Sequence, residues 1–147
     1  MSSTMLSERL IISNDLTELR RMSAWLKRCC GVAEIPDDVV FSLDLCANEA
    51  VTNIICYAFD GVGRHNIILE FSDSVRGASL TITDDGMPFN MLEAPEHKQP
   101  SSLAEAKIGG LGIHLIRHLV SQCHYQRAGG QNVFSFEVEH NPHPGNA

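Results

Sequence analysis

The chain has 147 residues, of which 44% are hydrophobic and 20% charged, as expected for one folded domain of about 150 residues. It carries 11 Lys and Arg against 18 Asp and Glu, a formal net charge of −7. This acidic balance argues against a protein that coats nucleic-acid phosphates and against a polybasic membrane-binding surface. A small phosphorylated ligand stays possible, because a few backbone amides can hold a phosphate without net basicity.

The sequence carries no obvious export or membrane signal. The N-terminal segment MSSTMLSERLIISND lacks the apolar stretch of a signal peptide. Asp44, Glu49 or glycines interrupt the longest apolar segments, which predicts no transmembrane helix. The five cysteines form no CxxC pair, a pattern typical of reduced core cysteines. We therefore expect a single cytoplasmic domain spanning residues 1–147.

The chain opens with a short strand and a helix. Residues 8–12 form an apolar stretch that predicts an edge strand. Asn14 or Asp15 is a suitable N-cap for the following helix, and Glu18 is placed for a capping box. Gly31 is a natural stop for that helix.

The next helix is the longest, over about residues 37–58. Pro36 and two acidic residues favour its start. Its apolar positions keep helical spacing and form one stripe: Val40, Leu43, Ala47, Ala50, Ile54 and Ala58. Because the helix is apolar over much of its circumference, we expect it to be largely buried.

A hairpin follows, with strands at 65–71 and 78–83 that alternate apolar and polar residues. Residues 90–108 show little periodicity and contain prolines and serines. A segment of this length without periodicity in a compact domain is usually a lid or disordered. We interpret it as a lid.

The last part of the chain begins with a glycine cluster, Gly109 to Gly112, which opens a third helix. A second hairpin follows, with strands at 124–127 and 133–139, and residues 140–147 form a frayed tail. The core then covers about residues 8–139. This order of elements predicts an α+β fold, a two-layer α/β sandwich with a mixed, mostly antiparallel sheet and about three helices on one face.

Polar residues interrupt the apolar pattern on the long helix. Glu49 and Asn53 are four residues apart, so they share a face. A buried Glu could act as a general base, and an Asn oxygen can ligand Mg²⁺. Both side chains could instead be satisfied by backbone or Arg partners.

Two further features have both a functional and a structural interpretation. Asp84 ends an apolar strand, where its carboxylate could accept a hydrogen bond from a ligand amino group. Gly86 would let the backbone approach closely, although Asp-Asp-Gly could also be a simple turn. The glycine cluster could bind an anion at a helix N-terminus, although glycines before helices are common.

The order of these three features along the chain resembles a known superfamily. The phrases NEAVTNIICYAF, ITDDGMPFN and IGGLGIHLIRHLV, with the terminal GGQNVFSFEV, are similar to the ATP-binding domain of gyrase, mismatch-repair ATPases, heat-shock chaperones and histidine kinases. The likeness spans about residues 8–139. It is greatest to the small bacterial anti-sigma-factor serine/threonine kinases, which implies the histidine-kinase-like ATPase fold.

The resemblance implies roles for particular residues. Glu49 would activate the attacking hydroxyl, and Asn53 would hold Mg²⁺. Asp84 would bond the adenine amino group of ATP or ADP, with Gly86 beside it. The resemblance places the phosphates on the glycine cluster, which comprises Gly109, Gly110, Leu111 and Gly112. Lys107 is a candidate for contact with the terminal phosphate.

The sequence departs from the family pattern at several positions. Tyr57 stands where many relatives carry His, and Pro88 stands where histidine kinases carry a second Gly. Asn132 replaces the Thr often found in the last motif, and Ile108 replaces an Arg that often precedes the glycine cluster.

The resemblance implies an ATP-dependent serine/threonine protein kinase that acts as an anti-sigma factor in a partner-switching pathway. Its substrate would be a small anti-sigma-factor antagonist, and its other partner a sigma factor or similar regulator. We expect no direct nucleic-acid or membrane contact, and a homodimer is possible. The alternative is a module that senses ATP or ADP and sequesters a partner without significant kinase activity. The intact Glu49 favours the kinase.

Overall fold

The computed structural model describes residues 6–60, 63–93 and 112–140. These residues form five strands and three α-helices in the predicted order: β1 (Ser7–Ser13), α1 (Leu19–Val32), α2 (Asp37–Tyr57), β2 (Asn66–Asp73), β3 (Gly77–Asp84), α3 (Gly112–Leu119), β4 (Gln122–Ala128) and β5 (Gln131–Glu139). Short 3-10 turns cover Leu16–Glu18 and Met91–Glu93. The α+β sandwich is thus confirmed. Most of the predicted lid and the tail lie outside the described residues.

The five strands form one sheet in the order β1-β2-β3-β5-β4. Each described ladder is antiparallel, whereas the sequence predicted a mixed, mostly antiparallel sheet. The crossover that contains α3 joins β3 to β4, and these two strands do run in the same direction. They are not neighbours, because β5 lies between them and pairs with both.

The start of α1 differs in detail from the prediction. Asp15 is the N-cap of a 3-10 turn, and its side chain accepts a hydrogen bond from the Thr17 N–H at 2.9 Å. Glu18 closes no capping box with Asp15; it accepts from the Ser13 N–H at 3.0 Å and pairs with Arg21. The helix ends at Val32, one residue beyond the predicted stop at Gly31.

Helix α2 is the central element of the core. Five of the six predicted stripe residues are buried, and Val40 is half-buried. By length and composition alone α2 could cross a membrane, although Asp44 and Glu49 in its apolar pattern predicted that no helix would. Here its buried side chains join one hydrophobic cluster with the apolar face of the sheet. The pattern that resembles a membrane span is therefore that of a core helix.

Alanine substitutions at two glycines should change the free energy of unfolding in opposite directions. A Cβ on Gly77 would lie 2.4 Å from the Val138 carbonyl oxygen across the β3–β5 ladder, so Gly77→Ala should lower the free energy of unfolding by about 1–3 kcal/mol. Gly31 lies in α1 with nothing near its missing Cβ, so Gly31→Ala should raise it by up to about 1 kcal/mol. Urea unfolding of both variants checks this, and a stable Gly77→Ala protein would contradict the ladder geometry.

Candidate functional site

Asp84 lies at the end of β3 with a carboxylate that is only half satisfied. The residue is 2% exposed. Its Oδ1 accepts hydrogen bonds from the Gly86 N–H at 2.8 Å and from Asn132 Nδ2 at 2.9 Å. Its Oδ2 is buried and has no partner among the described residues. Because an unsatisfied buried acceptor is costly, this oxygen suits a ligand that brings a hydrogen-bond donor.

The surroundings of Asp84 act on its pKa in both directions. Burial raises the pKa above the ordinary value of 3.8, and the hydrogen bonds from Asn132 and Gly86 oppose that rise. The nearby charge of Asp85 raises the pKa further, while Arg127 lowers it. The same two hydrogen bonds hold one carboxylate oxygen and leave the other available.

Gly86 brings this turn against the C-terminal end of α2. A Cβ on Gly86 would lie 2.3 Å from the Ala58 carbonyl oxygen, so a side chain cannot be accommodated without movement of the backbone. The Met87 N–H donates to the same carbonyl at 2.8 Å. The Asp84 turn is therefore anchored to the helix that carries Glu49 and Asn53.

Glu49 and Asn53 lie one turn apart on α2. Glu49 is half-buried, and its Oε2 is buried without a partner in the described part of the chain. Burial raises the pKa of Glu49 above its ordinary value of 4.5. Asn53 is 6% exposed. With a rise of about 1.5 Å per residue, Asn53 and Glu49 lie about 7.5 and 13.5 Å along the helix axis from Ala58.

Asn132 on β5 is a site residue whose role sequence reasoning missed. It was noted only as a departure from the family pattern, yet it is 3% exposed and bonded to Asp84. A signal was present in the sequence. Phe134, Phe136 and Val138 alternate along β5, and their spacing puts Asn132 on the same apolar face. A polar residue at a core-facing strand position requires partners.

The predicted phosphate site is described only in part. Lys107, Gly109, Gly110 and Leu111 lie outside the described residues, so their roles stay predictions. Gly112 is the first residue of α3, which packs against α2. Arg117 of α3 donates to the carbonyl of Leu92, which lies among the first residues of the predicted lid.

Comparison with known proteins identifies the domain. The family model described as the histidine kinase-like ATPase domain matches residues 12–137. The chain belongs to this family. As a histidine kinase-like ATPase domain it has an ATP-binding role, and the resemblance seen in its three motifs is confirmed. The chain is also similar to the serine/threonine-protein kinase BtrW of Bordetella bronchiseptica, with 37% identity over 92 residues. That match covers 63% of this chain and 65% of BtrW, slightly less than two thirds of that kinase.

The site of this ATPase domain fits its nucleotide chemically. Adenine carries an amino group that donates hydrogen bonds, and Asp84 Oδ2 is a buried acceptor that no donor of the described residues reaches. Glu49 Oε2 is a second such acceptor, on the helix to which the Asp84 turn is anchored. Carboxylate and amide oxygens are also the ligands that Mg²⁺ prefers, and Asn53 supplies one of them.

The raised pKa of Glu49 predicts how its replacement changes stability with pH. The folded protein binds the Glu49 proton more tightly than the unfolded chain, whose pKa is near 4.5. The contribution of Glu49 to the stability of the folded protein is therefore fully present below pH 4.5. It is lost as the pH rises through the pKa that Glu49 has in the folded protein. Glu49→Gln cannot ionise, so its free energy of unfolding relative to wild type should increase with pH above 4.5.

Urea unfolding between pH 4 and pH 8 measures this difference. Asp38→Asn, an exposed acid on the same helix, is the control and should not show the same pH-dependent gain. A Glu49→Gln protein that is less stable than wild type at neutral pH would indicate that Glu49 is a structural acid.

Proposed function

We propose that this protein is an ATP-dependent serine/threonine protein kinase that acts as an anti-sigma factor in a partner-switching pathway. Its substrate is a small anti-sigma-factor antagonist, and its other partner is a sigma factor or similar regulator. The family match and the similarity to a named serine/threonine kinase support the reaction class. The observation that carries the proposal is Glu49, a half-buried carboxylate one turn from Asn53 whose Oε2 has no partner within the described ranges of the chain.

In this proposal Asp84 recognises the base of ATP. Its Oδ2, which has no partner in the part of the chain that the structure describes, accepts a hydrogen bond from the adenine amino group, while Oδ1 stays bonded within the protein. Gly86 leaves room for the turn to lie directly on α2. Lys107 and the glycines at 109, 110 and 112 then hold the phosphates.

Glu49 acts on the incoming seryl or threonyl hydroxyl. The hydroxyl oxygen forms a bond to the γ-phosphorus as the bond to the β,γ-bridging oxygen breaks, and the hydroxyl proton passes to Glu49. The products are the phosphorylated protein and ADP. Burial raises the pKa of Glu49, which makes it a better proton acceptor than an exposed carboxylate. Asn53 would hold Mg²⁺, which when bound neutralises phosphate charge.

The partners follow from the narrower family resemblance and from the sequence. We propose that the protein works in the cytoplasm, contacts neither nucleic acid nor membrane, and can form a homodimer. The acidic net charge of −7 supports the absence of a nucleic-acid partner.

Replacing Asp84 by Asn should weaken nucleotide binding. The Asn oxygen can still accept from Gly86 and Asn132, so its amide nitrogen would meet the adenine amino group, donor against donor. We expect a loss of about 1–3 kcal/mol, or roughly 5- to 150-fold in ADP affinity, measured by titration calorimetry. Asp85→Asn is the matched control, because Asp85 is exposed and pairs with His65. Unchanged ADP affinity in Asp84→Asn would exclude the assignment.

Replacing Glu49 by Gln should separate catalysis from binding. The change keeps size but removes the base, so phosphate transfer should fall by roughly 10²–10⁴, while ADP affinity changes little. Asn53→Ala should lower both Mg²⁺-dependent binding and transfer. Labelled ATP and a panel of antagonist-domain proteins from the same genome provide the assay, with Asp38→Asn as control.

Two outcomes would change the proposal. A Glu49→Gln protein that transfers phosphate at the wild-type rate would exclude Glu49 as the base. A wild-type protein that binds ATP tightly but phosphorylates no antagonist would favour the alternative of a nucleotide sensor that sequesters its partner.

A further inference from the structure

Helix α3 begins at one end of the proposed nucleotide site. Its first residue, Gly112, belongs to the glycine cluster that is proposed to hold the phosphates, whereas Asp84, proposed to bind the base, ends β3. A long segment of chain separates the two. One nucleotide can contact both only if α3 is held at a defined place relative to the Asp84 turn.

Two consecutive residues hold α3 on different sides. Ile116 is 0% exposed and belongs to the core cluster, on a helix that packs against α2. Arg117 is the next residue, so its side chain leaves the helix about 100° further around the axis. Its Nη2 donates to the carbonyl of Leu92. The position of α3 is thus determined by apolar packing on one side and by this hydrogen bond on another.

The Leu92 carbonyl is a well-held acceptor. It lies in the 3-10 turn Met91–Glu93, in which Met91 is 2% exposed. Asn90 stabilises this turn, because its Oδ1 accepts from the Leu92 N–H at 2.9 Å and its carbonyl accepts from the Glu93 N–H at 3.0 Å. The acceptor is therefore held by the core and by its own turn, independently of the helix that donates to it.

Arg117 lies beside α3 and away from its first residue. Burial raises the pKa of the Cys123 thiol on β4, and the nearby positive charge of Arg117 opposes that rise. The guanidinium is therefore close to β4 as well as to Leu92. With a rise of about 1.5 Å per residue, Arg117 is about 7.5 Å along the helix axis from Gly112. This placement suits a side chain that acts on the start of α3 through the position of the helix.

We propose that Arg117 is a positioning residue for the phosphate end of the nucleotide, which holds the start of α3 at the distance from Asp84 that a nucleoside diphosphate or triphosphate spans. The site then selects nucleotides with a phosphate chain over the nucleoside alone. The inference rests on the proposed roles of Asp84 and the glycine cluster. Arg117 is not a catalytic residue, because it acts through α3.

A pair of ligands tests this role. Arg117→Met keeps most of the aliphatic stem and removes every donor. Because the bond to Leu92 is lost, ADP affinity should fall about tenfold. Adenosine contacts only the base site, so its affinity should stay within about twofold. Calorimetric titration gives the ADP affinity, competition against ADP gives that of adenosine, and thermal melts report whether each variant is folded.

Matched variants accompany this change. Arg117→Lys keeps a positive charge and a donor, so it should recover part of the wild-type ratio of ADP to adenosine affinity. Arg76→Met removes an exposed arginine between β2 and β3, at the end of β3 opposite Asp84, and should keep the wild-type ratio. If Arg117→Met does not fold, Arg117→Gln takes its place, since its side chain is too short to reach as far.

A double-mutant cycle tests whether Arg117 works through Leu92. Asn90→Ala removes the side chain that holds the turn around the Leu92 carbonyl. If both variants weaken the same contact, their combined effect on the ratio of ADP to adenosine affinity should be smaller than the product of the single effects. Effects that multiply would indicate that the charge of Arg117 acts directly on the phosphates, and they would overturn the inference.

The remaining outcomes separate this inference from the proposed function. A folded Arg117→Met protein that keeps the wild-type ratio, or that loses ADP and adenosine by the same factor, would overturn the inference and leave the proposed function intact. A wild-type protein that binds adenosine as tightly as ADP would show that the site holds no phosphate, and both would then be wrong.

Discussion

The close approach of Gly86 to the Ala58 carbonyl joins the two layers of this domain at its functional end. A Cβ at Gly86 would lie 2.3 Å from that oxygen, and the next residue donates to it. Because of this contact, the turn after β3 sits at the end of α2, with Glu49 and Asn53 within the preceding turns of the same helix. The proposed base-recognition and catalytic groups thereby share one rigid frame, as a site that must hold both ends of a nucleotide requires.

The site departs from the rules that govern the rest of the core. Elsewhere the apolar faces of helices and sheet form one continuous cluster. At the site two carboxylates each keep a buried oxygen without a partner in the described residues, and burial raises the pKa of both. Such groups reduce the stability of the folded protein at neutral pH. Buried carboxylate oxygens without a partner are more typical of a functional site than of a structural core.

Much of the fold could be predicted from the sequence because its signals are local. The helical spacing of apolar residues on α2 and the strict alternation in β3 depend only on which face each residue presents. The edge position of β1 and both hairpins were predicted for similar reasons. The termini of α1 were less well predicted, since Glu18 bonds to Ser13 and the helix extends one residue past Gly31. Such details depend on contacts outside the helix.

The sequence by itself predicted the element order, and its motifs predicted the family. It also singled out Glu49, Asn53, Asp84 and Gly86 as candidate site residues, because each interrupts or ends an apolar pattern. The tertiary structure decided which of them meet other groups. Strand order is not encoded locally: β5 lies between β3 and β4, which makes the sheet antiparallel and brings Asn132 to Asp84 across 48 residues of chain. That contact depends on long-range register, and no local pattern specifies which strands will pair.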